Sequence, residues 1–166
     1  APVTTTTDYS LNEESYGLFG QVSYNGIENV GVHLGLRGDQ YDKSINRSAF
    51  GLSGPVPNID ESSEYSFISP RAGIDFELSD SSLLYLNSGI AYKPGGYSAF
   101  IDDPKLAEFD KEQSWTKEIG LKKRWFDDLV RTNIAIFHNN IDDYQVERSL
   151  VATDYAILNA EEARSY

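Results

Sequence analysis

Few residues in this chain have the type and spacing that chemistry on a substrate requires. His33 and His138 are its two histidines. A zinc hydrolase needs two histidines on one helix face with a glutamate between them, as in H-E-x-x-H, and these two are not so placed. No Gly-x-Ser-x-Gly elbow presents a serine for nucleophilic attack. Gly95-Gly96 lacks the lysine and spacing of a phosphate-binding loop. With no cysteines, neither a thiolate metal site nor a disulfide can be built. Acidic residues gather twice: Asp102, Asp103, Glu108, Asp110 and Glu112, then Asp142, Asp143 and Asp154. Carboxylates can hold Ca²⁺, but the EF-hand spacing is missing and solvated loop charge accounts for them. Asn46-Arg47-Ser48 fits a glycosylation sequon, a triplet short enough to arise by chance. These residues imply no catalysis, no resident metal and no cofactor.

Composition narrows the class. At 166 residues with 40% hydrophobic and 13% aromatic content, the chain can form one domain with a core, and disorder is not expected. Mean hydropathy is −0.44, and no apolar run of about 18 residues exists to make a transmembrane helix. Barrel strands escape that test, because only every second residue of such a strand is apolar. The net charge of −12 makes nucleic acid a poor partner, since binding it relies on neutralising phosphates. Ala1-Pro2-Val3 and Thr4 to Thr7 lack the basic region and apolar core of a signal peptide. The expectation is a mature or excised piece of an exported protein.

The elements that must position any site read as strands. Tyr16, Leu18, Val22 and Tyr24 share one phase, and Asn25-Gly26 follows as a tight-turn signal. Val30, Val32, Leu34 and Leu36 alternate with Gly31, His33, Gly35 and Arg37. Ala72, Ile74, Phe76 and Leu78 form a third strand, Leu84, Leu86, Ile90 and Tyr92 a fourth, and Trp115 to Trp125 a fifth. Val130, Thr132, Ile134 and Ile136 mark a sixth. A seventh segment, Ala156 to Arg164, has helix-forming composition and is ambiguous from propensity alone. Asp103-Pro104 is placed to cap one helical turn. Short and long connections alternate, as in an outer-membrane barrel with short periplasmic turns and long extracellular loops.

The expected fold is therefore all-β: an antiparallel up-and-down meander of about seven strands, a segment of transmembrane β-barrel wall. A polar lead-in covers 1–10, the barrel segment 11–166, and long loops about 40–64, 94–113 and 141–154. Lengths agree. Trp115 and Trp125 are separated by about ten residues, which at ~3.3 Å each and ~45° tilt rise roughly 23 Å, close to the ~25 Å apolar band between aromatic girdles. Tyr16, Tyr24, Tyr92, Trp115 and Trp125 are the candidate girdle aromatics. Lys117 and Lys123 share the tryptophans' phase, each one step from an end, where a lysine stem can snorkel. A soluble antiparallel sheet with one apolar face gives the same alternation.

Several stretches resemble one family in its own order. Ile68-Ser69-Pro70-Arg71-Ala72-Gly73-Ile74-Asp75 looks like the start of a strand common in TonB-dependent outer-membrane receptors. Ala91-Tyr92-Lys93-Pro94-Gly95-Gly96-Tyr97 resembles the strand exit that follows, and Glu112 to Lys122 the next strand. Asn133 to Tyr144 continues it, and Asn159-Ala160, Ala163 and Tyr166 resemble the strand after that, which turns the seventh segment into a strand. The resemblance implies part of a barrel of about 22 strands closed by a plug, with no match here to the plug, to the TonB-engaging segment or to the last strands. It implies the outer membrane of a Gram-negative bacterium, membrane lipid and the TonB system as partners, and uptake of a ferric siderophore or similar chelate. In the outer mouth it makes Arg37, Tyr41, Lys93, Tyr97 and Phe100 candidate ligand residues, cations and aromatics suited to an anionic, aromatic chelate. A plainer role competes, with Tyr97 and Phe100 anchoring a loop and Arg37 pairing with a carboxylate. An isolated slice is expected to self-associate through its two free edges. Rival readings are a small complete outer-membrane barrel with a structural or adhesive role, and a soluble ligand-binding β-barrel.

Overall fold

The computed structural model describes residues 6–51, 54–151 and 154–166. Its strands are β1 (Thr6–Ile27), β2 (Val30–Gly51), β3 (Gly54–Ser79), β4 (Ser82–Lys93), β5 (Gly96–Tyr97), β6 (Glu108–Phe109), β7 (Glu112–Trp125), β8 (Val130–Val151) and β9 (Asp154–Ser165). Among the described residues a seven-stranded sheet runs in the order β1-β2-β3-β4-β7-β8-β9, antiparallel throughout. The expected up-and-down meander is present. β5 and β6 form a separate small pair inside the connection from β4 to β7.

The register puts each apolar set on one surface, because directly opposed residues of an antiparallel ladder point the same way. One row across the sheet is Tyr24, Val32, Ile74, Leu86, Ile119 and Ile136. The next row toward the short turns is Val30, Phe76, Leu84, Leu121 and Ile134. This surface is bare: Leu18 is 83% and Ile136 72% exposed. An apolar patch that spans six strands and meets no protein is what a lipid-facing wall presents. The opposite surface carries Ser23, His33, Gly73, Asn87, Glu118 and Phe137 in one row and Gln21, Gly35, Arg71, Gly89, Thr116 and Asn139 in the next.

The lysines on the lipid side are accounted for. Lys117 Nζ lies 3.5 Å from the centre of the Trp115 ring, and Lys123 Nζ 4.1 Å from that of Trp125. Both stems run from the strand's middle toward its ends, as snorkelling requires.

The strands are longer than the apolar pattern indicates. β2 has 22 residues and β3 has 26, about twice the 9–11 that a tilted strand needs to cross a bilayer. Of residues 40–64, expected as a loop, 40–51 and 54–64 are instead the outer halves of these strands, paired from Gln40–Ser66 to Gly51–Gly54, and 52–53 lie outside the described residues. Of residues 141–154, 141–151 and 154 are likewise strand, paired between β8 and β9, and 152–153 lie outside the described residues. The polar lead-in is also corrected: from Thr6 onward it pairs with β2, while Ala1 to Thr5 lie outside the described residues. Beyond the membrane both strand faces meet water or loop, so the alternation lapses although the ladder continues. The first tight turn also sits later than Asn25-Gly26. β1 continues to Ile27 through a register shift, and Asn29 takes the positive φ of 60°.

Outside the bilayer a small core forms. Ile45 and Ile59 of the outer β2–β3 hairpin pack with Tyr97, Ala99, Ile101 and Ala107 of the β4–β7 connection and Ala156 of β9. In that connection Asp103 Oδ1 accepts from the Lys105 N–H at 3.0 Å and caps a 3₁₀ turn, Pro104–Leu106, the helical turn its sequence implies.

Candidate functional site

Two surfaces are chemically distinctive: the polar inner wall and the mouth above it. On the inner wall His33 lies between Ser23 Oγ, 2.9 Å from Nδ1, and Asp75 Oδ2, 2.9 Å from Nε2. Arg71 donates to Gln21. These groups cross-link β1, β2 and β3 side to side, a structural use of a histidine with both ring nitrogens occupied. His138 is on the lipid side opposite Lys117, its ring 5.0 Å from Tyr166. Among the described residues no cluster of three or more His, Asp and Glu could hold a metal ion.

The mouth is aromatic. Phe67 stacks on Tyr92 with centroids 4.9 Å apart and ring planes 8° from parallel, and on Tyr65 at 6.2 Å; Tyr41 tilts against it at 5.9 Å. Lys111 Nζ hangs 6.0 Å from the Phe67 centroid and 5.7 Å from that of Tyr92. Cations over π-faces gain most when partly desolvated. Phe67 itself is buried, 7% exposed, so what the strip offers outward is the rest of its ring surface and the exposed Lys111 ammonium, groups suited to a planar aromatic carrying negative charge.

The sequence candidates divide. Tyr41 joins the strip. Lys93 is exposed at the end of β4, paired in the ladder with Glu112. Arg37 Nη2 meets Asp39 Oδ1 at 2.6 Å, pairing with a carboxylate on its own strand. Tyr97 is buried, its phenol 2.5 Å from Ser63 Oγ. Phe100 packs edge-on against Tyr9 at 5.3 Å and is 49% exposed. The five therefore do not converge.

Tyr92, expected in the girdle, is the correction among the aromatics. The β3–β4 ladder ends at Arg71–Gly89, and beyond it the Tyr92 ring turns onto Phe67 rather than toward lipid. Tyr16, Tyr24, Trp115 and Trp125 stay exposed on the apolar surface. Tyr65, Phe67 and Lys111 were missed by sequence reasoning. Tyr65-Ser66-Phe67 does alternate, and that was the available signal.

The chain matches the family described as TonB dependent receptor-like, beta-barrel over residues 1–166. It belongs to the TonB-dependent receptor family. The wall is therefore outer-membrane barrel. Solved structures agree in fold. The ferric yersiniabactin uptake receptor FyuA from Yersinia pestis superposes with a TM-score of 0.77 at 19% identity, covering 86% of this chain and 22% of that one. The ferric-catecholate import receptor Fiu from K12 E. coli gives 0.68 at 16% identity, covering 94% and 24%. The alcaligin outer-membrane receptor FauA from Bordetella pertussis gives 0.59 at 14%, covering 91% and 26%. The chain thus spans about a quarter of each of these TonB-dependent receptors.

The mouth has its own titration behaviour. Tyr65 and Tyr97 are both pushed above the ordinary phenol range, first by burial and further by Glu108 nearby; for Tyr97 the hydrogen bond with Ser63 opposes this only in part. A phenol raised in the folded state contributes stability that is intact below its unfolded pKa of about 10 and is lost as pH rises through the folded value. Tyrosinate absorbance should therefore show a late-titrating fraction above about pH 10, smaller in Tyr65→Phe/Tyr97→Phe. Ordinary titration of every tyrosine would contradict the burial.

Proposed function

We propose that this segment forms part of the outer mouth of a receptor that captures an anionic, aromatic metal chelate, of the ferric siderophore class, and passes it inward at the expense of energy from TonB. The single observation that carries the reading is the ring strip Tyr41, Tyr65, Phe67 and Tyr92 beneath Lys111. Aromatic faces and an ammonium attract catechol-type or phenolate ligands by stacking and charge, without breaking a bond in them. The names of the three structural neighbours, which refer to yersiniabactin, catecholates and alcaligin, support the same class. TonB and a plug would act through parts of the receptor outside this segment. Family membership favours this over a small self-contained barrel or a soluble ligand-binding barrel.

The test is quenching of intrinsic fluorescence in the intact receptor by a ferric tris-catecholate, a ferric hydroxamate and a ferric phenolate. At least one should bind, and Lys111→Gln should weaken it by about 2- to 30-fold, the span of a cation–π contact from exposed to desolvated. Tyr41→Ala should weaken it by a similar factor. Binding of none of the three, or full affinity in both variants, would overturn the assignment of the strip.

A further inference from the structure

We infer that residues 94–111, the connection between β4 and β7, are a fixed brace across the mouth rather than a mobile lid, and that Arg47 is the residue that positions them. The inference goes beyond the uptake reading and does not depend on which ligand binds.

The brace is held at its apex and at both feet. At the apex, Arg47 of β2 is 2% exposed, and its guanidinium donates to the main-chain carbonyls of Ala99 and Ile101. It also donates to Pro57 O of β3 at 2.8 Å, so one planar group ties the connection to both strands of the outer β2–β3 hairpin. Arginine suits this use because its five donors lie in a rigid plane. At the feet, Gln145 of β8, itself 8% exposed, donates to Pro94 O at 3.0 Å and to Asp110 O at 2.9 Å. Asn159 of β9 accepts from the Asp110 N–H at 2.8 Å and donates to Asp110 O and Asp143 O. Midway, Tyr155 N–H donates to Phe100 O at 2.8 Å, and Ile157 N–H to Ser98 Oγ at 2.9 Å.

Two hairpins far apart in sequence are thus bridged by one connection whose own centre is apolar: Ala99, Ile101 and Ala107 against Ile45, Ile59 and Ala156. A lid that opens on each cycle draws on weakly packed, solvent-bonded backbone. Here the carbonyls are bonded to buried side chains and the core side chains are enclosed. Opening would strand a buried guanidinium and uncover the core together.

Hydrogen exchange in the intact receptor tests this without any ligand. In the unaltered protein the amides of Ser98, Leu106 and Ala107, which are hydrogen-bonded within the connection, should exchange as slowly as those of the β3 and β4 ladder. Arg47→Met should speed them by at least about tenfold while ladder amides of β7 and β8 keep their rates, and Arg47→Lys should recover part of the protection. Fast exchange in the unaltered protein, or slow exchange in Arg47→Met, would overturn the inference.

A tether supplies a second readout should Arg47→Met fail to assemble. A β-carbon at Gly51 would lie 3.4 Å from Asp102 Oδ2, so Gly51→Cys/Asp102→Cys can be oxidised to join the brace to β2. Binding of the ferric tris-catecholate, ferric hydroxamate or ferric phenolate probe should be equal in the oxidised and reduced forms. Loss on oxidation with recovery on reduction would show that the connection must move, overturning the inference while leaving the uptake reading in place.

Discussion

Ile136→Arg should destabilise the membrane-inserted barrel by about 2–4 kcal/mol, whereas Ala135→Arg, one residue away, should cost less than about 1 kcal/mol. Ile136 stands in the middle row of the apolar surface, opposite Ile119, and is 72% exposed with no protein to cover it. A guanidinium there must shed water into hydrocarbon or distort the lipid. Ala135 opposes Gly120 on the other surface, where the polar row of Asn87 and Glu118 runs alongside and water reaches. The two variants carry the same charge on the same strand at nearly the same depth, so only the facing differs. Denaturant titration of folding into liposomes reads the difference directly. Equal losses would mean that the sheet does not separate lipid from lumen, and a soluble one-faced sheet would become the better description.

Gly95→Ala should loosen the outer core while sparing the membrane strands. A β-carbon there would lie 2.3 Å from the main-chain oxygen of Phe109 and 2.6 Å from the Tyr65 hydroxyl. The first neighbour is backbone, which cannot swing aside as a side chain can. Overpacking of this kind costs about 1–3 kcal/mol, and the strain falls where β4 leaves the sheet and the brace begins. Limited proteolysis should then cut within residues 94–111 under conditions that leave the unaltered receptor whole. Heat modifiability of the barrel should persist. Intact behaviour on both counts would show that the close approach at Gly95 relaxes without consequence.

The membrane-spanning part was legible because its physics is periodic. Val32, Leu34 and Ile74 each have a polar or small neighbour on either side, and one register brings them to a common surface with Leu86 and Ile136. The ambiguous seventh segment became a strand by resemblance, and β9 is one. The outer halves of β2 and β3 were not legible. Serines, asparagines and charges occupy both phases there, and what holds the strands is the continued ladder plus a core contributed by a distant connection. Long-range packing of that kind leaves no short-range pattern. Gly54, Pro55 and Pro57 read as loop because proline and glycine punctuate strands, yet all three lie in β3, near the hairpin tip where edge and bulge positions tolerate them.

The site was half legible for the same reason. Tyr41, a candidate in the sequence because it lies just past a clear strand, meets Phe67 in the proposed strip. Phe67 and Lys111 meet only because β3 and β4 part after Arg71–Gly89 and the connection folds back over the gap. Tyr92 was misassigned because phase alone sets its side, and phase does not say where a ladder ends.

Because this segment has no cysteine, each position from Asn133 to Phe137 can be made its sole attachment point for a nitroxide label, in a bilayer-inserted receptor with any cysteine outside the segment replaced. Collision with dissolved oxygen, which concentrates in lipid, should be high at 134 and 136 and low at 133, 135 and 137. A water-soluble paramagnetic reagent should show the reverse alternation. Accessibilities that change smoothly along the strand, or peak in phase with one another for the two reagents, would contradict a wall with lipid on one side and a wet interior on the other.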